Sequence, residues 1–434
     1  MKLIRTTGRG AGAAAETLAA LEQRGGAALD SVLPAVKRIV ADVRRDGDRA
    51  LLRYARSFDG FGGPDSGATA LRVTQDEMLS AWKKIDPALR DALTTAAKQI
   101  RAFSRKQMPR SWSAEPLKGL STGQLVRPLS SVGCYVPSGR HPLPSTLLMT
   151  AIPAQVAGVP RIVVVSPKPA SETLAAAHLL GVTEFYRLGG AHAVAALAYG
   201  TESLSRVDKI VGPGNLYVTA AKRLVAFDCA IDMLAGPTEI VVTSERGGAA
   251  AIASDLVAQA EHDPEALAIL VTTREELARK VVAESKLRSR SNPVAREALE
   301  RHGVVIVAGS VEEARMITNR LAPEHLTVDV ASDLKWVENA GSVFVGRWSA
   351  QPMGDYISGP NHTLPTGGMA RVRGGLSVND FVKVITAQEY TGQGVRTLGP
   401  KAALLAEAEG LTGHAEAISV RLGAGVGAKR RARG

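Results

Sequence analysis

Apolar residues recur every three or four positions over residues 31–57 and 74–108, a spacing typical of amphipathic helices. In the first segment, Val32, Val36 and Ile39 fall on one helical face. The Gly-rich stretch between the two segments is too short and too polar to form a domain of its own. The N-terminal part of the chain is therefore predicted to be mostly helical.

From about residue 131 the pattern changes to short β-branched runs that alternate with Ala-rich helical stretches. Because a parallel strand needs a crossover before its neighbour, this alternation predicts βαβ units and an α/β fold. Two parallel-sheet units are expected, one near residues 131–238 and one after it, and a helical segment beyond residue 376. The predicted strands lie in the runs RIVVVSP, EFYRLGG, DKIVGPGN, EIVVTS, LAILVTT, GVVIVAG and SVFVG.

The composition is that of a globular protein without large aromatic surfaces. The 434 residues are 45% hydrophobic, 22% charged and only 4% aromatic, which excludes a disordered or fibrous chain. The net charge of +11 includes a C-terminal basic run, but no aromatic residue interleaves that run, so we expect a solvated tail and no nucleic-acid partner. No window reaches the roughly 18 apolar residues of a membrane span, so we expect a cytoplasmic protein with no membrane partner. The basic run contains Lys429, Arg430, Arg431 and Arg433.

The two cysteines, Cys134 and Cys229, are too few for a disulfide framework and lack the spacing of metal ligands. Cys134 lies in a glycine-flanked loop, but the sequence around it supplies no obvious base. We interpret both residues as small buried hydrophobic side chains in a reducing compartment.

Two glycine-rich loops follow predicted strands and precede predicted helices. The Gly-x-Gly-x-x-Gly fingerprint of a dinucleotide fold is missing, so any cofactor site is atypical. The loops Gly189–Gly190 and Gly212–Asn215 place backbone N–H groups at a helix start, where a phosphate binds well. A tight turn without a ligand explains the same residues equally well.

Polar residues that suit a metal or proton transfer occur in several places. Gln259 and His262 share one helical face, an arrangement that can hold a metal, although an ordinary surface histidine also fits. Glu324 and His325 bring two proton carriers of different pKa to one loop before a predicted strand. Asp355 and His362 lie in a Gly- and Pro-rich stretch that builds no element, and turn formation is the alternative there. By themselves, Glu409 and His414 look like ordinary residues of a helical tail.

Several long motifs occur in one order over nearly the whole chain, and together they resemble the histidinol dehydrogenase family. The resemblance implies an NAD-dependent enzyme that oxidises histidinol through an aldehyde to histidine. It also implies a homodimer with one zinc per subunit, two incomplete Rossmann-like domains and a C-terminal tail exchanged between subunits. The motifs are CYVPSGRHPLPSTLLM, RLGGAHAVAALAYGT, DKIVGPGN, AGPTE, DLVAQAEHDP, LAPEHL, GDYISGPNHTLPT and EGLTGH.

The domain organisation follows from the same resemblance. Residues 1–130 and 239–378 are expected to form the main α/β domain, which carries the substrate and the zinc. Residues 131–238 are expected to form the cofactor domain, and 379–434 the exchanged tail.

Roles carry over position by position. His325 matches the general base, and Glu324 matches the residue that activates water on the aldehyde, so the second oxidation passes through a hydrate and needs no thioester. The zinc ligands are expected to be Gln259, His262, Asp355 and, from the partner subunit, His414. Substrate contacts are expected from the four ligands and His325 together with Thr238, His362 and Glu409. Dinucleotide contacts are expected from Tyr135, His192 and Asn215.

Three departures from the family motifs leave a narrower alternative open. His192 replaces the glutamine of GGAQA, Thr238 replaces the serine of AGPSE, and Pro360 with Thr363 alters GTNHVLP. A related zinc- and NAD-dependent dehydrogenase of another small amino or sulfonated alcohol is therefore the alternative function. A noncatalytic zinc-stabilised binding module is a second class of hypothesis, but it gives no use to adjacent proton carriers.

Overall fold

The computed structural model divides the chain into two compact units. The larger unit contains Met1–Met108 and Leu129–Phe381, and the smaller unit contains Pro109–Pro128 and the chain from Val382 onward. The basic run of the tail lies outside the described residues. The structure describes residues 1–24, 29–62, 67–138 and 142–423.

Helices and strands are numbered in chain order through both units. The helices are α1 Ala11–Glu22, α2 Leu29–Asp59, α3 Gln75–Lys84, α4 Pro87–Gln107, α5 Pro144–Ala157, α6 Ser171–Leu179, α7 Gly190–Tyr199, α8 Leu216–Val225, α9 Ala249–Ala260, α10 Glu275–Arg288, α11 Pro293–Arg301, α12 Val311–Leu321, α13 Gln351–Tyr356, α14 Gly392–Ala408 and α15 Thr412–Arg421. The strands are β1 Lys2–Arg5, β2 Trp112–Leu117, β3 Leu120–Pro128, β4 Ser131–Tyr135, β5 Arg161–Val165, β6 Glu184–Tyr186, β7 Lys209–Val211, β8 Ala230–Ile231, β9 Glu239–Thr243, β10 Leu267–Thr272, β11 Val304–Val307, β12 His325–Val328, β13 Ser342–Val345 and β14 Val382–Tyr390.

The N-terminal helices are confirmed, with one correction. The segment predicted as a single helix over 74–108 is two helices, α3 and α4. The second begins sharply because the Asp86 carboxylate accepts a hydrogen bond from the Ala88 N–H, and Pro87 occupies the first helical turn. Thr74 and Glu77 form a reciprocal capping box at the start of α3.

The larger unit contains the two parallel sheets that the alternating pattern predicts. The first has the strand order β6-β5-β4-β7-β8, and the second has the order β1-β11-β10-β9-β12-β13. All of their strand pairs are parallel. The strand β1 at the N-terminus is an addition that the pattern did not predict, because four residues are too few to show a period.

In the second sheet, β9 and β12 are neighbours, and His325 pairs with Ile240. This register places Glu239 beside Glu324 at the amino ends of both strands. Helix α9 follows β9 and returns to the same edge, because a crossover helix runs antiparallel to its strands. Its last turn carries Gln259.

The smaller unit contains a three-stranded antiparallel sheet and the two C-terminal helices. Strand β3 lies between β14 and β2, and α14 and α15 follow. The two helices agree with the predicted helical tail, but the antiparallel sheet was not predicted, since most residues of β2 and β14 are exposed and show no core-facing pattern. The three-part domain division stays a prediction. Within the described ranges, no helix is long and apolar enough to cross a bilayer.

Candidate active site

Glu324 and His325 lie at the start of β12, and both are buried. The turn before them contains Ala322, which has a φ of 45° and is the only residue other than glycine with a positive φ in the described ranges. Ala322, in its left-handed conformation, ends α12, and the chain turns there toward Glu324 and His325.

The Glu324 carboxylate and the His325 imidazole are both held by strand β9. Oε2 of Glu324 accepts hydrogen bonds from the Thr238 hydroxyl at 2.6 Å and from the Glu239 N–H at 2.7 Å. Nδ1 of His325 lies 3.0 Å from the Glu239 carbonyl oxygen, so this nitrogen must carry the proton that it donates. The other ring nitrogen, Nε2, is buried without a hydrogen-bond partner and lies 3.5 Å from Oδ1 of Asp355.

Both groups have shifted pKa values. Burial raises the pKa of Glu324 to about 7, against the opposing effects of His325 and of the donors from Thr238 and Glu239. Burial lowers the pKa of His325, but the carboxylates of Glu324 and Asp355 outweigh it and raise that pKa to about 9. A carboxyl group that titrates near neutral pH can both give and take a proton.

Asp355 lies in the short helix α13 and is fixed from two sides. The Gln351 amide donates to its Oδ2 at 2.8 Å, and the imidazole of His362 donates through Nδ1 to its backbone carbonyl at 2.9 Å. Burial raises the pKa of Asp355, but the His325 and His362 imidazoles outweigh that effect and hold the pKa below its usual value. Asp355 is therefore an ionised ligand candidate.

Gln259 and His262 approach the same region from the end of α9. The Gln259 side chain is fully buried, and its amide N–H donates to the Thr238 hydroxyl. Its Oε1 has no hydrogen-bond partner. His262 is exposed just beyond the helix, and it is close enough to His362 to help lower the pKa of that imidazole, whose main cause is burial.

His325, Asp355 and His362 border a cavity of about 410 Å³ that runs along the edge strand β13 of the second sheet. Its polar lining includes His325, Asp355, Asn361 and His362, and its apolar lining includes Phe344 and Trp348. The cavity is large enough for a small polar molecule.

The donor atoms suit a zinc ion. An amide oxygen, an imidazole and a carboxylate form a mixed oxygen and nitrogen set, and the buried Oε1 of Gln259 is an acceptor that a cation would satisfy. Among the described residues, however, no cluster of three or more His, Cys, Asp or Glu side chains is spaced to hold a metal. The assignment of Gln259, His262 and Asp355 as zinc ligands therefore stays a prediction.

Glu409 and His414 lie in the smaller unit. Glu409 caps the C-terminal end of α14, and His414 lies in the first turn of α15. Both side chains are exposed in the single chain, and their part in the site stays a prediction.

Of the three predicted dinucleotide residues, Tyr135 ends strand β4 of the first sheet, and His192 and Asn215 lie at the starts of helices α7 and α8. The Tyr135 hydroxyl at the end of β4 accepts a hydrogen bond from the Gly190 N–H at 3.0 Å. His192 is fully buried, and its Nε2 lies 2.8 Å from Oδ2 of Asp59. Asp59 also accepts from the Gly189 N–H at 3.0 Å, so the Tyr135 and His192 side chains meet at the Gly189–Gly190 loop.

Asn215 serves the other glycine-rich loop. Its side chain caps α8 by accepting from the backbone N–H groups of Tyr217 and Val218, each at 3.1 Å. The same loop begins with Gly212, whose φ is 114° and where an added Cβ would lie 2.1 Å from the Tyr135 carbonyl oxygen. Only glycine permits this close approach of the loop to the end of strand β4.

The prediction that both cysteines are buried is confirmed, but Cys134 lies in strand β4 and not in a loop. Cys134 and Cys229 are free and buried. Burial raises the pKa of the Cys134 thiol to about 12 and that of Cys229 to about 11. Neither thiol is a nucleophile at neutral pH.

Three residues that touch predicted site residues, and Arg24, which touches one of the three, were not assigned a role from the sequence. Glu239 is the last residue of the motif AGPTE, so the motif could have indicated that it belongs to the site. Asp59 and Arg24 lie far along the chain from their partners, and Gln351 becomes visible only through its contact with Asp355.

Comparison with known proteins gives the family of the chain. The family model for histidinol dehydrogenase matches residues 22–422. A histidinol dehydrogenase of Geobacter sulfurreducens is 46% identical over 416 residues, which cover 93% of this chain and 96% of the relative. One from Methanothermobacter thermautotrophicus is 45% identical over 408 residues, with 91% and 94% covered. The crystal structure of histidinol dehydrogenase from Elizabethkingia anophelis matches with a TM-score of 0.90 and 35% identity, covering 98% of both chains.

The parallel α/β fold and these relatives define an enzyme of the oxidoreductase class. The chain belongs to the histidinol dehydrogenase family.

Proposed function

We propose that this protein oxidises L-histidinol through L-histidinal to L-histidine, the last steps of histidine biosynthesis, with NAD and one zinc ion per subunit. The observation that carries the proposal is the buried pair of Glu324 and His325, which Thr238 and Glu239 hold, with His325 lining the same cavity as Asp355. NAD, when bound, supplies the hydride acceptor, and zinc, when bound, orients the substrate through its imidazole and amine nitrogens.

In the first oxidation, His325 removes the proton of the alcohol. The base is the neutral imidazole, whose share grows as the pH rises toward the His325 pKa of about 9. In that form Nδ1–H is held by the Glu239 carbonyl and the lone pair lies on Nε2. This nitrogen has no other hydrogen-bond partner, so it is free to accept the alcohol proton as the carbon is oxidised.

In the second oxidation, Glu324 removes a proton from the water that adds to the aldehyde. A pKa of about 7 makes this carboxylate a stronger base than an exposed glutamate, and it remains partly ionised at neutral pH. The donors from Thr238 and Glu239 hold one oxygen and leave the other to meet the water. The hydrate is then oxidised without a covalent thioester, in keeping with the two buried thiols.

Gln259, His262, Asp355 and His414 of the partner subunit are proposed to hold the zinc. Thr238, His362 and Glu409 are proposed to contact the substrate. Several large apolar side chains of the smaller unit are exposed to solvent in the single chain, and a dimer interface would bury such side chains. They include Trp112, Val384, Ile385, Leu404 and Leu405.

Tyr135, His192 and Asn215 are proposed to serve NAD binding. Since His192 is fully buried and bound to Asp59, we propose that it acts by holding the Gly189–Gly190 loop rather than by direct exposure to the cofactor. A cytoplasmic location is part of the proposal, because a reducing compartment keeps both thiols unpaired.

Substrate choice tests the proposed function. The zinc-loaded protein with NAD is expected to show a kcat/KM for L-histidinol roughly 100-fold or more above that for aliphatic amino alcohols or sulfonated alcohols, since buried polar groups reject a substrate that leaves them unpaired. NADH formation only with the other alcohols would contradict the histidinol assignment and favour the related dehydrogenase.

A further inference from the structure

Glu239 contacts both members of the proton-transfer pair through its backbone. Its N–H donates to Glu324 at 2.7 Å, and its carbonyl oxygen accepts from His325 at 3.0 Å. A small displacement of this one residue would therefore shift the carboxylate and the imidazole together.

The side chain of Glu239 is anchored in turn by an arginine from the N-terminal segment. Nε of Arg24 donates to Oε1 at 2.7 Å, and Nη2 donates to Oε2 at 2.7 Å. The Gly367 N–H adds a third hydrogen bond at 2.8 Å. The ion pair is largely removed from water, with 14% of the Arg24 side chain and 4% of the Glu239 side chain exposed. A paired fork of this kind fixes both position and orientation.

The same guanidinium also holds the helix that leads into the pair. Arg24 donates to the carbonyl of Leu321, the last residue of α12, and to the carbonyl of Leu21 in α1, each at 2.6 Å. Carbonyls at a helix C-terminus lack partners within the helix, so a guanidinium satisfies them well. Leu321 stands three residues before Glu324, and the left-handed Ala322 lies between them.

We propose that Arg24 is a positioning residue for Glu324 and His325. It acts through Glu239 on one side and through the end of α12 on the other. Only the kinetic test of this inference rests on the proposed function. The contacts of Arg24 position Glu324 and His325 whatever the substrate is.

The chain offers a matched control in Arg161. This arginine also makes a paired fork, to Glu184 at 2.8 and 2.9 Å, and also donates to two backbone carbonyls, those of Ser205 and Arg206. It lies at the start of β5 in the first sheet and makes no hydrogen bond to the proton-transfer pair. Replacing it removes a similar set of contacts without touching β9 or α12.

The test compares Arg24→Met with Arg161→Met in the zinc-loaded protein. Arg24→Met is expected to lower kcat with histidinol by roughly 10- to 100-fold, because a misplacement of about 1 Å at a catalytic group can cost that much. The KM for NAD is expected to stay within about twofold, and Arg161→Met is expected to keep kcat. If Arg24→Met does not fold, Arg24→Lys is measured instead, since it keeps the charge but loses the fork.

A second readout does not depend on turnover. Protein labelled with ¹⁵N-histidine contains eight imidazoles, and the His325 resonances are assigned by their loss in His325→Asn. The Nδ1 resonance of His325 is expected to shift in Arg24→Met and to stay unchanged in Arg161→Met.

A wild-type kcat together with an unshifted His325 resonance in Arg24→Met would overturn the inference, and so would equal losses of kcat in both variants. If the wild-type protein does not oxidise histidinol, the proposed function fails, and the NMR comparison alone then decides whether Arg24 positions His325.

Discussion

Replacement of Glu324 by glutamine separates the two oxidations. The amide has the size of the carboxylate, and its carbonyl oxygen can still accept the hydrogen bonds from Thr238 and the Glu239 N–H. The substitution therefore keeps the packing around His325 while removing the group proposed to take a proton from water. We expect the alcohol to be oxidised and the aldehyde to persist.

The size of the effect follows from the role of the group. A positioned general base contributes roughly 10²- to 10⁴-fold, so oxidation of histidinal by Glu324→Gln is expected to slow by that factor. This corresponds to about 3–5 kcal/mol of transition-state stabilisation. Oxidation of histidinol to the aldehyde is expected to keep a rate within about tenfold of wild type, since Nδ1 of His325 retains its contact with Glu239.

The pKa of Glu324 predicts the direction in which the rate of histidinal oxidation changes with pH. Because burial raises the pKa of Glu324 to about 7, the ionised base accumulates as the pH rises through that value. The rate of histidinal oxidation by wild type is expected to rise from pH 6 to pH 8 and then level off, and Glu324→Gln is expected to lose this dependence. Folding shows the opposite trend: the raised pKa of Glu324 favours the folded state at low pH, and this contribution, about 3 kcal/mol, is lost as the pH rises from the ordinary pKa of 4.5 through about 7.

The assay follows NADH and aldehyde in a rapid-mixing instrument, with histidinol and histidinal supplied separately. Thermal or urea unfolding of both proteins at pH 6 and pH 8 serves as the control for folding. Equal slowing of both oxidations, or an unchanged rate with histidinal, would refute the assignment of Glu324 as the base of the second step.

Three further predictions concern other parts of the molecule. Gln259→Leu is expected to weaken zinc binding at least 10-fold, and mixing it with His414→Ala should restore some activity through dimers with one intact site; no restored activity at any mixing ratio would argue against a shared site. Gly212→Ala is expected to destabilise the fold by more than about 1 kcal/mol and to raise the KM for NAD, because its Cβ would meet the Tyr135 carbonyl, and unchanged unfolding and KM would contradict the close approach. Ala322→Gly is expected to leave stability unchanged or raise it by up to about 1 kcal/mol in urea unfolding, since glycine relieves the φ of 45°, and a clear loss would contradict that reasoning.

The sequence predicted the parallel sheets because their strands are buried on both faces and read as short apolar runs. Strands β1, β2, β8 and β14 escaped prediction because they are short or largely exposed. The half-buried β3 and the buried β4 were missed as well, and a glycine interrupts each of them. Local pattern alone also missed the break between α3 and α4, although Asp86 and Pro87 are its signal.

For the site, the resemblance to a family supplied what spacing could not. Gln259, Glu324 and Asp355 are far apart along the chain, and no periodicity joins them. The structure brings these three side chains together beside the second sheet. The contact between Arg24 and Glu239 spans 215 residues and appears only in three dimensions.

The central claim is that one site carries out both oxidations. It is tested most directly by counting the NADH formed for each L-histidinol consumed by the zinc-loaded protein under conditions of complete turnover. Two NADH per histidinol, with histidine as the product, is the predicted result. One NADH per histidinol, with the aldehyde or another compound as the product, would contradict the account.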